Sequence, residues 1–186
     1  MFENKDFNNI DFTKTILPAG EYENCRFINC NFYNQNLNDY IFRECKFDSC
    51  DLSLVNVINT MFCDVKFVKS KLIGIHFDDC KTFLLSFDFA ECKLNMSVFY
   101  KLKLKNIVFK NCDLEECDFT ETELNAAVFD NCNLLNATFD RTNLEKADFR
   151  TAFNYSLDPE NNRIKKARFS TASLHGLLQK YDILID

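Results

Sequence analysis

Large apolar residues recur at every fifth position along most of this chain. From Tyr22 the series runs through Phe27, Phe32, Leu37, Phe42, Phe47, Leu52, Val57, Phe62, Phe67 and Leu72 to Phe77. It slips by two residues across 78–88. It then resumes at Phe89 and continues through Leu94, Phe99, Leu104, Phe109, Leu114, Phe119, Leu124, Phe129, Leu134, Phe139 and Leu144 to Phe149. An α-helix buries a face every 3.6 residues and a half-buried strand every 2, so neither accounts for a period of five. A small or mid-sized residue precedes each centre by two positions, as in Cys112, Cys117, Thr122, Ala127, Cys132, Ala137, Thr142 and Ala147. Most of the remaining positions are polar. Each unit therefore points one small and one large side chain inward, two apart as on a strand, and uses its other residues to face solvent and turn a corner.

The alternation of Phe and Leu in the second frame sets the number of sides. With four sides per coil, Phe109, Phe129 and Phe149 fall in one column, Phe119 and Phe139 in the opposite one, and the Leu residues in the other two. The cysteines repeat at the same interval of twenty, as Cys25/Cys45, Cys30/Cys50 and Cys92/Cys112/Cys132. Like residues thus stack on like, as expected of an all-β solenoid with stacked coils. At about 4.8 Å per coil, the regular repeat makes 6–7 coils and a rod roughly 30 Å long. Three segments follow: a cap or loose first coil at 1–20, where Phe2, Phe7, Phe12 and Leu17 keep the phase until Pro18-Ala19-Gly20 interrupts; the repeat at 21–153; and a different tail at 154–186.

That tail contains an Asp158-Pro159 turn and a basic cluster of Arg163, Lys165, Lys166 and Arg168. Leu174, Leu177, Leu178 and Tyr181 follow at helical spacing, with Ser170 or Thr171 as the N-cap candidate. Gly176 inside this helix suggests close backbone approach, and DILID reads as a short strand. The tail can cap the open edge of the last coil. It can also form a dimer interface, with Leu174, Leu177, Leu178, Tyr181, Ile183 and Ile185 as anchors.

Composition narrows the chemistry. With 3 Gly and 2 Pro in 186 residues, hairpin turns built on Asn-Gly or Pro-Gly are mostly unavailable. Nine of the ten cysteines follow the period, with only Cys63 off phase; they form no CxxC and accompany only two His, His76 and His175, which reads as small buried apolar packing and not as zinc or disulfide chemistry. A net charge of −6 argues against generic phosphate binding. No signal-peptide pattern or long apolar run is present, so a cytoplasmic location is expected. Glycine-rich phosphate loops, HExxH and GxSxG are absent from the sequence; no cofactor, metal or catalytic residue is expected.

The triplets CDL, CDF, CNL, TNL and ADF at 112–114, 117–119, 132–134, 142–144 and 147–149 resemble the A(D/N)LXX pattern of the pentapeptide-repeat family. That resemblance, covering residues 20–150, implies a right-handed quadrilateral β-helix. The DPENNRI loop and GLLQKYDILID tail further resemble the Qnr-type quinolone-resistance and microcin-immunity subgroup. There, the resemblance implies, the terminal helix and strand form a head-to-head dimer whose rod mimics duplex DNA. Such a rod binds DNA gyrase or topoisomerase IV and protects it from inhibitors. Residues 111–140 carry Asp113, Glu115, Glu116, Asp118, Glu121, Glu123, Asp130 and Asp140 and no basic residue, an acidic belt that suits such a partner. These acids distribute over all four sides. A basic run (Lys101, Lys103, Lys105, Lys110) precedes them, and Lys46, Lys66 and Lys69 occupy an earlier face. The alternative is an interaction scaffold with no topoisomerase partner, using outward apolar residues such as Ile28, Tyr33, Ile41, Ile58, Met61, Ile73, Tyr100 and Leu135.

Overall fold

A computed structural model describes residues 1–184. Eleven short strands, β1 (Phe2–Glu3), β2 (Asp6–Asn8), β3 (Glu21–Glu23), β4 (Arg26–Ile28), β5 (Ile41–Arg43), β6 (Lys46–Asp48), β7 (Met61–Cys63), β8 (Val65–Val68), β9 (Phe87–Ala90), β10 (Val108–Lys110) and β11 (Val128–Asp130), form two parallel sheets. Their orders are β1-β3-β5-β7 and β11-β10-β9-β8-β6-β4-β2. Partners lie twenty residues apart, as in Phe27↔Phe47 and Phe109↔Phe129. Single parallel bridges such as Asp51↔Lys71 and Asp118↔Thr138 supply the other two sides. The result is the quadrilateral β-helix expected from the five-residue period.

The core is one continuous column of side chains. Phe109, Phe119, Phe129 and Phe149 have no exposed surface, and Phe139 is 6% exposed. Phe129 stacks on Phe109 at 5.3 Å and on Phe149 at 4.6 Å, and meets Phe139 edge-on across the core at 6.1 Å. Both are geometries that aromatic quadrupoles favour. This column spans nine levels, from Phe7 to Phe169, so stacking continues past both ends of the 21–153 repeat. At the start β1 and β2 pair with β3 and β4; at the end Arg163 and Arg168 bridge to Asn143 and Asp148.

The corners explain why so little glycine suffices. Twenty-eight non-Gly residues adopt positive φ, nearly all two positions after a centre, and half of them are Asn or Asp, the side chains that best tolerate the left-handed region. The small inward residues also do more than fill space. The hydroxyls of Thr122 and Thr142 and the thiols of Cys45, Cys117 and Cys132 each donate to a carbonyl twenty-three residues earlier, as in Cys117 Sγ to Leu94 O at 3.0 Å and Thr122 Oγ1 to Phe99 O at 2.8 Å. All ten cysteines are free thiols and nine are buried.

The frame slip is a two-residue insertion in one coil. Register lengthens from twenty at Ile41↔Met61 to twenty-two at Val65↔Phe87, then returns to twenty at Phe89↔Phe109. Phe87 turns inward against Phe77 and Phe89, at 5.2 and 5.1 Å. It sits where the aromatic columns change sides: Phe42–Phe62 end one stack, and Phe77–Phe99 begin another.

The tail departs from the sequence expectation. In place of one amphipathic helix, a single α-turn, α1 (His175–Leu178), lies between 3₁₀ turns at Thr171–Ser173 and Gln179–Tyr181, and neither Ser170 nor Thr171 makes a side-chain cap bond. The cause is local packing. Gly176 is pressed against Tyr155, and its carbonyl accepts from Leu157 N at 3.0 Å. A Cβ there would collide with the Tyr155 carbonyl oxygen and lie 2.7 Å from its ring. Close approach thus fixes the turn, and helical spacing alone does not extend it. Residues 182–184 are not a strand; the rest of the expected strand, with Ile185, lies outside the described residues.

Candidate protein-interaction surface

No helix of the described chain is long and apolar enough to cross a membrane. Among the described residues, no group of three or more His, Cys, Asp and Glu side chains is placed to hold a metal ion. His76 Nδ1 faces the Asp78 carboxylate at 3.5 Å, and burial raises the pKa of that carboxyl. The charged candidates lie on the outward surface, which the stacking register organises.

The coil that opens the acidic run carries Asp113 and Glu115 on one side, Glu116 at a corner with φ 58°, Asp118 on the next side and Glu121 at the following corner with φ 54°. Glu123 and Asp130 complete the circuit, so the acids form a collar around the rod and not a stripe along it. Register places Lys93, Lys103 and Lys110 one coil before Asp113, Glu123 and Asp130. Glu121 pairs with Arg141 at 3.1 Å and Lys101 at 3.5 Å, and Arg141 also holds Asp140 at 3.1 Å. Asp113 accepts from Asn95 and Asn133, Glu123 from Asn143, and Asp130 from Thr151. Glu115, Glu116 and Asp118 have no ion pair among the described residues and flank one corner, which gathers three unpaired carboxylates there. Of the earlier lysines, Lys46 and Lys66 are direct neighbours, whereas Lys69 turns a corner at φ 50°.

The tail's apolar residues separate into two groups. Leu177 packs on the core, while Leu174, Tyr181 and Ile183 are 42%, 50% and 55% exposed. Lys180 clamps this segment to the last coils through Asp158 at 2.6 Å and Glu160 at 2.7 Å; Tyr181 donates to Glu160 at 3.0 Å. Sequence reasoning missed two exposed apolar features. Leu54 and Met96 occupy left-handed corners, and Phe83 and Leu84 project from the insertion. The unbroken Phe-Leu-Leu run at 83–85 was the available signal, because one five-residue side cannot turn three consecutive apolar residues inward.

Four-sided coils of five-residue sides, stacked around a Phe/Leu core, define a β-solenoid class of their own. The family model for the pentapeptide repeat region matches residues 20–88 and 82–169, and the chain belongs to that family. No curated protein sequence matches the chain. Among solved structures, a trypsin-treated variant of QnrB1, a plasmid-mediated fluoroquinolone resistance protein, superposes with a TM-score of 0.76 at 16% identity, covering 100% of this chain and 91% of that one. A second trypsin-treated QnrB1 variant gives a TM-score of 0.51 at 18% identity, covering 100% and 99%. At such identities the likeness establishes a shared fold.

Proposed function

We propose that this protein is a cytoplasmic, non-enzymatic partner of DNA gyrase or topoisomerase IV, occupying their duplex-binding surface as a DNA mimic and protecting them from inhibitors such as quinolones. The observation that carries the proposal is the acidic collar, with the ion-unpaired Glu115, Glu116 and Asp118 at its corner, on a rod whose whole length superposes on a fluoroquinolone resistance protein. A surface that binds phosphates responds to dense carboxylate charge by the same electrostatics. We further propose a homodimer through the tail, with Leu174, Leu178, Tyr181 and Ile183 across the interface and Leu177 bracing it from behind; the exposure of Leu174, Tyr181 and Ile183 supports this, and Leu178 is half-buried beside them. Light scattering tests the dimer, which Leu178→Asp should split. A gyrase supercoiling assay in the presence of a fluoroquinolone tests the function. Rescue of supercoiling at increasing protein concentration is expected; no rescue and no effect on supercoiling at any concentration would sink it.

The scaffold alternative draws on outward Tyr33, Ile58 and Leu135, which are 49%, 43% and 41% exposed. A supercoiling assay without effect, together with loss of a cellular partner on Tyr33→Ser, would favour it.

A further inference from the structure

The insertion at 82–86 builds a second surface of opposite character. Its far end is anchored: Phe87 is buried among Phe77 and Phe89, and the Ser86 hydroxyl donates to Asp64 at 2.9 Å while accepting from Asp64 N at 2.7 Å. Its near end turns outward, leaving Phe83 71% and Leu84 53% exposed. Leu84 also adopts φ 58°, a backbone region disfavoured for an aliphatic residue. A loop serving only to absorb two extra residues gains nothing from exposed Phe and Leu, which water disfavours.

Beside this loop lies a cleft of about 180 Å³. Leu85, Leu104 and Ile107 give it an apolar floor, and Lys66, Lys103 and Lys105 stand at its rim. None of these three lysines makes an ion pair among the described residues. The two carboxylates of the cleft are unequal competitors. Asp64 is engaged by Ser86 and Asp88 lies in register beside Lys66; Lys103 has Glu123 of the next coil as its register neighbour, so Lys103 and Lys105 are the two lysines with no carboxylate of the cleft in register beside them.

We propose that this cleft docks an acidic segment of a partner protein, with an apolar side chain of the segment seated on the Leu85–Leu104 floor, its continuation passing over the bordering loop that carries Phe83, and flanking carboxylates on Lys103 and Lys105. Charge complementarity selects the occupant. A basic segment would meet the lysine rim, and a nucleic acid would bring repeated phosphates past Asp64 and Asp88, whereas isolated carboxylates around one apolar anchor match the layout. The surface goes beyond the topoisomerase reading and does not depend on it, because it uses lysines on coils that precede the acidic collar.

The test is fluorescence anisotropy with a short labelled peptide of Asp and Glu around a central Phe-Leu pair. Saturable binding is expected, weakened about tenfold by the double variant Lys103→Glu/Lys105→Glu, as for loss of paired interface charges. Phe83→Ser should weaken it as well. All three positions are exposed, so circular dichroism and thermal melting should match wild type. The charge-reversed variant should in turn capture a Lys-Phe-Leu-Lys peptide that wild type ignores, which separates altered charge from misfolding. Equal binding of a Ser-Ser version of the acidic peptide, indifference to the double charge reversal, tighter binding of a single-stranded oligonucleotide, or no saturable binding would each overturn the proposal.

Discussion

Phe129 shows how one residue serves three levels of the rod, stacking on Phe109 and Phe149 and meeting Phe139 edge-on. Truncation leaves a void that coils locked in register cannot close. Phe129→Ala should therefore cost about 3–5 kcal/mol, and Phe129→Leu about 1–2 kcal/mol, read from urea unfolding midpoints. The small inward positions obey a different rule, since a thiol or hydroxyl at the same place donates to the preceding coil. Cys117→Thr should stay within about 1 kcal/mol of wild type, whereas Cys117→Asp should unfold the coil by burying an uncompensated charge. These thiols also set a pH dependence. Burial raises Cys45 from 9.0 to about 12, and it raises Cys80 and Cys117 as well. The unfolded chain ionises first, so the folded state binds more protons above that point. Their contribution is complete below pH 9.0 and declines as pH rises toward 12. Urea midpoints should fall between pH 8 and pH 11, with a shallower fall in Cys45→Ala.

At the scale of the element, corners and cap answer to backbone geometry. Ala126 turns its corner at φ 55°. Ala126→Gly should stabilise the protein by about 0.5–1 kcal/mol in thermal unfolding, the reverse of its effect in a helix. Gly176→Ala acts in the opposite direction by forcing the tail away from Tyr155. It should cost about 1–3 kcal/mol and expose the tail to trypsin at Lys180 while the coils stay protected. The same contrast explains what could be read from the chain. Stacking forces Phe109 through Phe149 into strict period, so the coils and their four sides were legible in the sequence. The tail was read too long, because Leu174, Leu177, Leu178 and Tyr181 keep helical spacing although the Gly176–Tyr155 contact leaves only one α-turn. The insertion was located by its broken phase. Its outward Phe83 and Leu84 were not, because the period determines which residues point in and leaves the rest to solvent or a partner.

At the scale of the whole molecule, net charge of −6 hides a polar division along the rod. The 101–110 segment holds lysines, and the collar from Asp113 to Glu123 follows it directly, with Lys93 stacked on Asp113 and Lys103 on Glu123. The acids were legible as a belt. Their spread over all four sides was legible too, whereas the neutralisation of Glu121 and Asp140 by Arg141 became visible only once coil register set their neighbours. This concentrates the expected contact on Glu115, Glu116 and Asp118. Equilibrium titration of the protein against purified gyrase, with duplex DNA as competitor, decides whether the collar is a topoisomerase-binding surface. Saturable binding is expected that duplex DNA displaces, that weakens as salt rises from about 50 to about 200 mM, and that Glu115→Lys/Glu116→Lys abolishes. Binding indifferent to duplex DNA and to that charge reversal, or no binding at all, would contradict that role.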